Sequence, residues 1–345
     1  MKMGWKVLLP QELKPDARKL LEDHGCTLID GRGFETEDVI ADFKEHQPDA
    51  IIVRITKMPR KVFEAGAPNL KFLVRHGAGY DAVDLQAAKD HGVMCLYAPV
   101  ANSTSVAETA IMHMLYMRSN VTRLQNMLTV DFYDAKLKTH MTTLNGKTVG
   151  LIGCGNIGSR VAKRCLAMEM NVLAYDPYKP ACDFPEGVEV VRDLDRIFKE
   201  SDYVSLHAPN TPVTKNMVNK ETLAMMKPTD FLINTARGTL VNEADLSDAC
   251  KNGVIAGAGL DAVAKEPVDA DMPLLTLKNV LITPHVGGNS IEAALRASYM
   301  SAMGVVEAME GKTPTWPIPY IDYETAETYT DTKKPDTKPV GMYDY

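Results

Sequence analysis

The sequence predicts an α/β protein of two domains, each built on a parallel sheet. Three observations carry that expectation. The chain has 345 residues, more than one hydrophobic core usually holds. Short apolar runs alternate with helix-period stretches along most of it, and strict β-α alternation implies parallel strands with helices on both faces. A single long helical stretch near residue 105 divides the alternation into two blocks.

In the first block "KVLLP", "CTLID", "AIIVRI", "LKFLVRHG" and "VMCLYAP" read as strands. "PDARKLLEDHG", "TEDVIADFKEH", "RKVFEAG" and "DLQAAKDHG" read as the helices between them. The dividing stretch, about 105–128, reads as one helix whose methionines (Met112, Met114, Met117, Met127) fill gaps in a helix or subunit interface. In the second block "TVGLI", "NVLAYD", "VEVV", "YVSLHA", "DFLINTA", "IAGAGLD" and "VLITPH" are the expected strands, followed by the helical "SIEAALRASYMSAMGVVEAMEG". Periodicity does not say where that last helix packs. From Gly311 the chain turns rich in proline, threonine and tyrosine, which predicts an extended tail docked in places by its aromatic residues.

The net charge of −7, with no Lys/Arg block, argues against a nucleic-acid partner and an anionic membrane surface. No apolar run is long enough to be a secretory h-region or to span a bilayer, so a cytoplasmic location is expected. Six scattered cysteines without a C-x-x-C pair read as reduced thiols, and no metal site is expected.

"VGLIGCGNIGSRVAKRCLAMEMNVLAYD" carries G-x-G-x-x-G as Gly153, Gly155 and Gly158, after an apolar strand and before a helix. Ile157, Val161, Cys165 and Met168 fall on one face of that helix. The three glycines supply a tight turn, close approach to a pyrophosphate, and close helix–strand packing. Asn156 and Ile157 open the helix, whose N-terminal N–H groups favour anions. Asp176 ends the next strand, where a carboxylate accepts from ribose hydroxyls and repels a 2′-phosphate, so NAD is the expected cofactor.

Ligands of open parallel sheets bind beyond the carboxyl ends of the strands. Three late strands end on reactive side chains there: Arg237 after "DFLINTA", Asp261 with Glu266 after "VIAGAGL", and His285 after "VLIT". An arginine grips a carboxylate bidentately and polarises a neighbouring carbonyl. A histidine exchanges a hydroxyl proton, and a carboxylate bonded to its ring fixes its orientation. This set suits 2-hydroxy acid oxidation or 2-keto acid reduction. An isolated histidine at a strand end would more simply be a satisfied core-edge residue. In the first block Gly77, Ala78 and Gly79 follow a strand and offer an anion-binding nest for a carboxylate, with Arg54 adding charge. Arg75 and His76 beside them suit a structural role as well as a functional one.

"GLIGCGNIGSR", "NTARG", "GLDAVAKEP" and "TPHVGG", with "HAPNTPVT" and "ANSTSVAE", resemble the D-isomer-specific 2-hydroxyacid dehydrogenases over about residues 45–312. The resemblance implies a flavodoxin-like substrate domain, 1–101 with 289–345, and an inserted Rossmann-type NAD-binding domain, 102–288. It implies an active site in the cleft between them and homodimers built through the inserted domain. It assigns Arg237 to substrate, and His285 with Glu266 to proton transfer. It places Asp261 near the nicotinamide, and His207, Thr214 and Ala236 on the cofactor side. The nearest branches are the 3-phosphoglycerate dehydrogenases and the hydroxypyruvate or glyoxylate reductases. With only the tail after Gly311 remaining, an appended regulatory domain like that of some 3-phosphoglycerate dehydrogenases is not expected. Two alternatives stay open: an NADH-sensing corepressor-like binding module, and a related enzyme such as a formate dehydrogenase, which needs no acid/base pair.

Overall fold

The computed structural model describes residues 4–119, 121–138, 141–321, 323 and 325–332. The chain divides into two compact units: Met1–Ser103 with Gly288–Ile321, and Thr104–Gly287 with Asp322–Tyr345.

The first unit holds five parallel strands: β1 (Lys6–Leu9), β2 (Thr27–Asp30), β3 (Ala50–Val53), β4 (Phe72–Arg75) and β5 (Met94–Tyr97). Their order is β2-β1-β3-β4-β5, the flavodoxin-like arrangement. Central β3, "AIIV", is buried at every residue, as a strand covered on both faces must be, whereas edge strand β2 is half exposed. Helix Ile291–Met309, whose destination periodicity left open, packs here. Its Ala302, Val305 and Val306 join Val7, Leu9, Ile52 and Leu96 in one core cluster. Each such fully buried valine or leucine contributes about 1.5–3 kcal/mol. Trp316 and Ile318 then pair with β5, through Tyr97 N–H to Trp316 O (3.0 Å) and Ile318 N–H to Cys95 O (2.8 Å), covering an otherwise open edge.

The second unit holds seven parallel strands: β6 (Thr148–Ile152), β7 (Asn171–Tyr175), β8 (Glu189–Val191), β9 (Tyr203–Leu206), β10 (Phe231–Asn234), β11 (Gly257–Leu260) and β12 (Val280–Ile282). Their order is β12-β11-β10-β9-β6-β7-β8. The order reverses between β6 and β9, so the crevice expected to take a ligand opens after β6. Both sheets of the expected α/β fold are therefore present.

The helix expected about 105–128 is described as helix over Ser103–Ser119 and again over Val121–Met127. Ala107, Ala110, Met114 and Met117 have a core to pack on, while Met112 points outward and Val121 and Leu128 are exposed. One expectation needs correction: the tail was expected to stay with the first unit throughout. Beyond Ile321 its described residues pack on the second unit, because Tyr323, Tyr329 and Asp331 find partners around Pro177–Ala181 and Arg192.

Candidate active site

The turn after β6 is built for close approach. Gly153 has φ +93, and a Cβ there would lie 2.7 Å from the His207 carbonyl group. A Cβ at Gly158 would lie 2.2 Å from Gly153 O, so helix Asn156–Ala167 approaches the strand only without one. Around Gly155, by contrast, the space is open: a Cβ would meet no atom within 4 Å. Gly155 also caps the helix without any side-chain bond, and Asn156 and Ile157 form its first turn. A helix start with no side-chain cap from its N-cap residue, beside open space, fits a dinucleotide pyrophosphate.

Asp176 follows β7 directly. Its carboxylate accepts from Cys154 N (3.0 Å) and Tyr178 N (3.1 Å), tying the strand end to the glycine turn. Each oxygen keeps a second acceptor site for a ribose hydroxyl. Lys179 reaches back across the same turn, its ammonium donating to Cys154 O (2.7 Å) and Ser159 Oγ (3.3 Å). His207, after β9, donates its backbone N–H to Ile152 O (2.7 Å), and its Nε2 shares a bond with Ser205 Oγ (2.9 Å). Its Nδ1 is buried with no partner. Burial pushes its pKa down to about 3, so the ring is neutral. Thr214 spends its hydroxyl inside its own loop, donating to Pro209 O (2.7 Å) and accepting from Thr211 N (2.9 Å). Ala236 N–H donates to Asn234 Oδ1 (3.0 Å).

Strands β10, β11 and β12 lie side by side and deliver Arg237, Glu266 and His285 beyond the same sheet edge. His285 Nδ1 lies 3.0 Å from both oxygens of Glu266, and both side chains are partly exposed. Arg237 donates to Ala236 O (2.7 Å), and its own carbonyl accepts from Asn234 Nδ2 (2.9 Å). His285 has φ +52, a conformation uncommon for a residue with a side chain.

Asp261 explains how that conformation persists. It is only 2% exposed, and its carboxylate accepts from Thr283 Oγ1 (2.5 Å), Val286 N (3.1 Å) and Gly287 N (2.8 Å). The two amides directly after His285 are thus held by one buried carboxylate. Thr283 Oγ1 in turn lies 3.2 Å from Nε2 of His113, which is fully buried on helix Ser103–Ser119. Burial lowers the His113 pKa, which keeps a second charge out of this network. Asp261 was expected at the nicotinamide; its bonds run to the His285 turn. Thr283 and His113 were not singled out from the sequence. Thr283 adjoins "PH" and was within reach, but His113 lies on an apolar helix face with nothing local to distinguish it.

The substrate-side candidates all lie in the first unit. Arg54 follows β3, its backbone N–H bonded to Gln11 Oε1 (3.0 Å) and its guanidinium to Asn289 Oδ1 (3.1 Å). Gly77, Ala78 and Gly79 follow β4. Gly77 N–H is spent on Arg75 O (2.8 Å), so not every amide of the expected nest points outward. His76 bonds Ser298 Oγ (2.9 Å), and burial, with Arg54, Arg75 and Lys14 adding repulsion, lowers its pKa to about 4. It is a neutral structural group at pH 7.

Residues 111–287 match the family model described as D-isomer specific 2-hydroxyacid dehydrogenase, NAD binding domain. A hydroxypyruvate reductase of Thermotoga maritima is 39% identical over 295 residues, covering 85% of this chain and 94% of the relative. The chain belongs to the D-isomer specific 2-hydroxyacid dehydrogenase family. Another member, the D-3-phosphoglycerate dehydrogenase of Methanocaldococcus jannaschii, is 38% identical over 310 residues. That match takes in 89% of this chain but only 58% of the relative, so the chain spans little more than half of its length. Among solved structures, an acyclic imino acid reductase in complex with NADPH and D-Arg superposes with a TM-score of 0.82 at 26% identity. It covers 91% of this chain and 100% of the other. As a member of the 2-hydroxyacid dehydrogenase family, the chain carries its NAD-binding domain in the seven-stranded unit. Among the described residues no helix is long and apolar enough to cross a membrane, and no cluster of three or more His, Cys, Asp or Glu is placed to hold a metal ion.

Proposed function

We propose that this chain is an NAD-dependent D-2-hydroxyacid dehydrogenase of the cytoplasm that interconverts a small 2-hydroxy acid and its 2-keto acid. The observation that carries the reading is the His285–Glu266 pair at 3.0 Å, beyond the same sheet whose glycine turn suits a dinucleotide. The dinucleotide, when bound, exchanges a hydride with C2 of the substrate. His285 exchanges the hydroxyl proton through Nε2, the ring nitrogen that Glu266 leaves free. Glu266 fixes the orientation of the imidazole through Nδ1. Arg237 binds the substrate carboxylate, and Arg54 with the backbone of Gly77, Ala78 and Gly79 meets the rest of the substrate. On the cofactor side, Gly153–Gly158 with Asn156 and Ile157 take the pyrophosphate, and Asp176 takes the adenosine ribose. His207, Thr214 and Ala236 shape the remaining wall, and Asp261 holds the His285 turn.

The substrate we favour is 3-phosphoglycerate, for which Arg54 offers an exposed guanidinium toward a phosphate. Hydroxypyruvate or glyoxylate is the second reading, favoured by the Thermotoga relative, which matches over almost its full length. The deciding measurement is NADH oxidation at 340 nm against phosphohydroxypyruvate, hydroxypyruvate, glyoxylate, pyruvate and branched-chain keto acids. Highest kcat/KM on phosphohydroxypyruvate supports the first reading, and on hydroxypyruvate or glyoxylate the second. NADH binding without turnover on any of them would move the sensor reading to the front.

We also propose a homodimer. Val130 is 84% exposed and Tyr133 72%, and Leu128, Phe132 and Leu137 beside them are exposed too, an apolar stretch that calls for a partner surface. Light scattering of the purified chain is expected to give twice the 37.9 kDa chain mass. A monomer at micromolar concentration would refute the dimer.

A further inference from the structure

The C-terminal segment has so far been given no task, yet it is bonded in detail to one loop. That loop, Asp176–Ala181, follows β7 and begins with the carboxylate proposed to meet the adenosine ribose. Tyr329 N–H donates to Pro177 O (2.8 Å), and Ala181 N–H donates to Asp331 Oδ2 (2.8 Å). Tyr178 OH donates to Tyr323 O (3.0 Å), and the two rings meet edge-on at 5.2 Å. From β8, Arg192 enters the same loop with its side chain only 13% exposed. It donates through Nη1 to Asp176 O and through Nη2 to Lys179 O (2.9 Å). Toward the tail it donates through Nε to Asp331 O (2.9 Å) and through Nη2 to Asp331 Oδ1 (3.4 Å).

Four charges bear on the loop's bonding. Asp176 is negative, and its carboxylate is tied to the glycine turn. Lys179 is positive, but its ammonium is folded onto Cys154 O and Ser159 Oγ. Arg192 is the second cation, bonded to the main chain of the ribose-facing residue itself. The two loop carbonyls solvate its guanidinium without cancelling its charge. Among the described residues, the carboxylate paired with it is that of Asp331. A guanidinium beside this strand end is the group with which dinucleotide sites accept a 2′-phosphate.

We propose that Asp331 is a specificity-determining residue of the dinucleotide site: by neutralising Arg192 and pinning it beneath the Asp176–Ala181 loop, it makes the site select the dinucleotide with an unphosphorylated ribose. The inference rests on the reading that Asp176 receives that ribose. It gives the tail a chemical role that the glycine turn and Asp176 do not supply by themselves.

The test is fluorescence titration of the full chain with NADH and with NADPH, which needs no turnover. Wild type is expected to bind NADH the more tightly. Asp331→Ala and Asp331→Asn are both expected to lower the NADPH:NADH ratio of Kd values about threefold to fivefold, the range open to a partly exposed charge pair. Asp331→Asn keeps the volume and an acceptor oxygen, so an equal shift there assigns the effect to charge and not to a loosened tail. Adding Arg192→Ala to Asp331→Ala is expected to restore the wild-type ratio. An unchanged ratio in both single variants, with NADH still bound, overturns the role of Asp331 and leaves the dinucleotide site standing. Equal weakening of both dinucleotides also overturns it, since the tail would then be a wall and nothing more. Wild type that binds neither dinucleotide refutes the site reading itself, and the inference with it.

Discussion

Replacing His285 with Asn is expected to lower kcat for NADH-dependent keto acid reduction by about 10²–10⁴-fold, the range of general acid–base catalysis, with the Kd for NADH unchanged. The split follows from the geometry. His285 stands beyond β12 with Nδ1 committed to Glu266, whereas the open space at Gly155 lies at the turn after β6. Asparagine retains polarity but has no titratable proton. Glu266→Gln is expected to have a smaller effect, because Gln still accepts one hydrogen bond from the ring and so keeps much of its orientation. A His285→Asn variant within about tenfold of wild-type kcat would remove His285 from the proposed chemistry. So would one whose NADH affinity falls as far as its turnover.

Asp261→Asn is expected to damage both stability and turnover. The wild-type carboxylate accepts from three donors in a nearly sealed environment. An asparagine amide has one acceptor oxygen, so whichever way it turns, its N–H faces the backbone N–H of Val286 or of Gly287. Hydrogen bonds to charged groups are worth about 1.5–3 kcal/mol each, and part of that is recovered by relaxation. A destabilisation of about 2–4 kcal/mol is therefore expected. The amides of Val286 and Gly287 lose their anchor, so the left-handed backbone at His285 relaxes and kcat falls about a hundredfold, as misplacement of a catalytic group does. Asp261→Glu is not expected to rescue either property, because the added methylene has no room beside Gly287, where even a Cβ would lie 2.7 Å from Asp261 Oδ2. Calorimetry and steady-state kinetics on the same preparations test this. Wild-type kcat in a destabilised Asp261→Asn variant would show that the carboxylate supports the fold without positioning His285.

Much of the candidate site was legible because its signals are local. The turn Gly153–Gly158 is announced by three glycines between a strand and a helix, all within one hydrogen-bonded unit. Arg237, Glu266 and His285 stand just past three apolar runs, and runs of that kind place their next residues at a sheet edge wherever the strands lie in the sheet. Asp261 was legible as a residue of interest but not in its bonding. Its partners are 22 to 26 positions ahead, and the histidine that extends the network lies 148 positions behind, on a helix of the same unit.

By itself, then, the sequence determined which segments become strands and helices, that the strands run parallel, where a dinucleotide turn forms, and which reactive side chains follow the strands. Those properties are set by backbone preference and burial over stretches of five to fifteen residues. Only the tertiary structure decided that Glu266 and His285 meet through Nδ1, and that Asp261 serves the His285 turn. It also decided that the tail leaves the first unit to grip Arg192 and the loop after Asp176. Each of these depends on side-chain atoms far apart in the chain arriving within about 3 Å of one another, the range of a hydrogen bond. Distance at that scale is fixed by how whole elements pack, and no local pattern of residues encodes it.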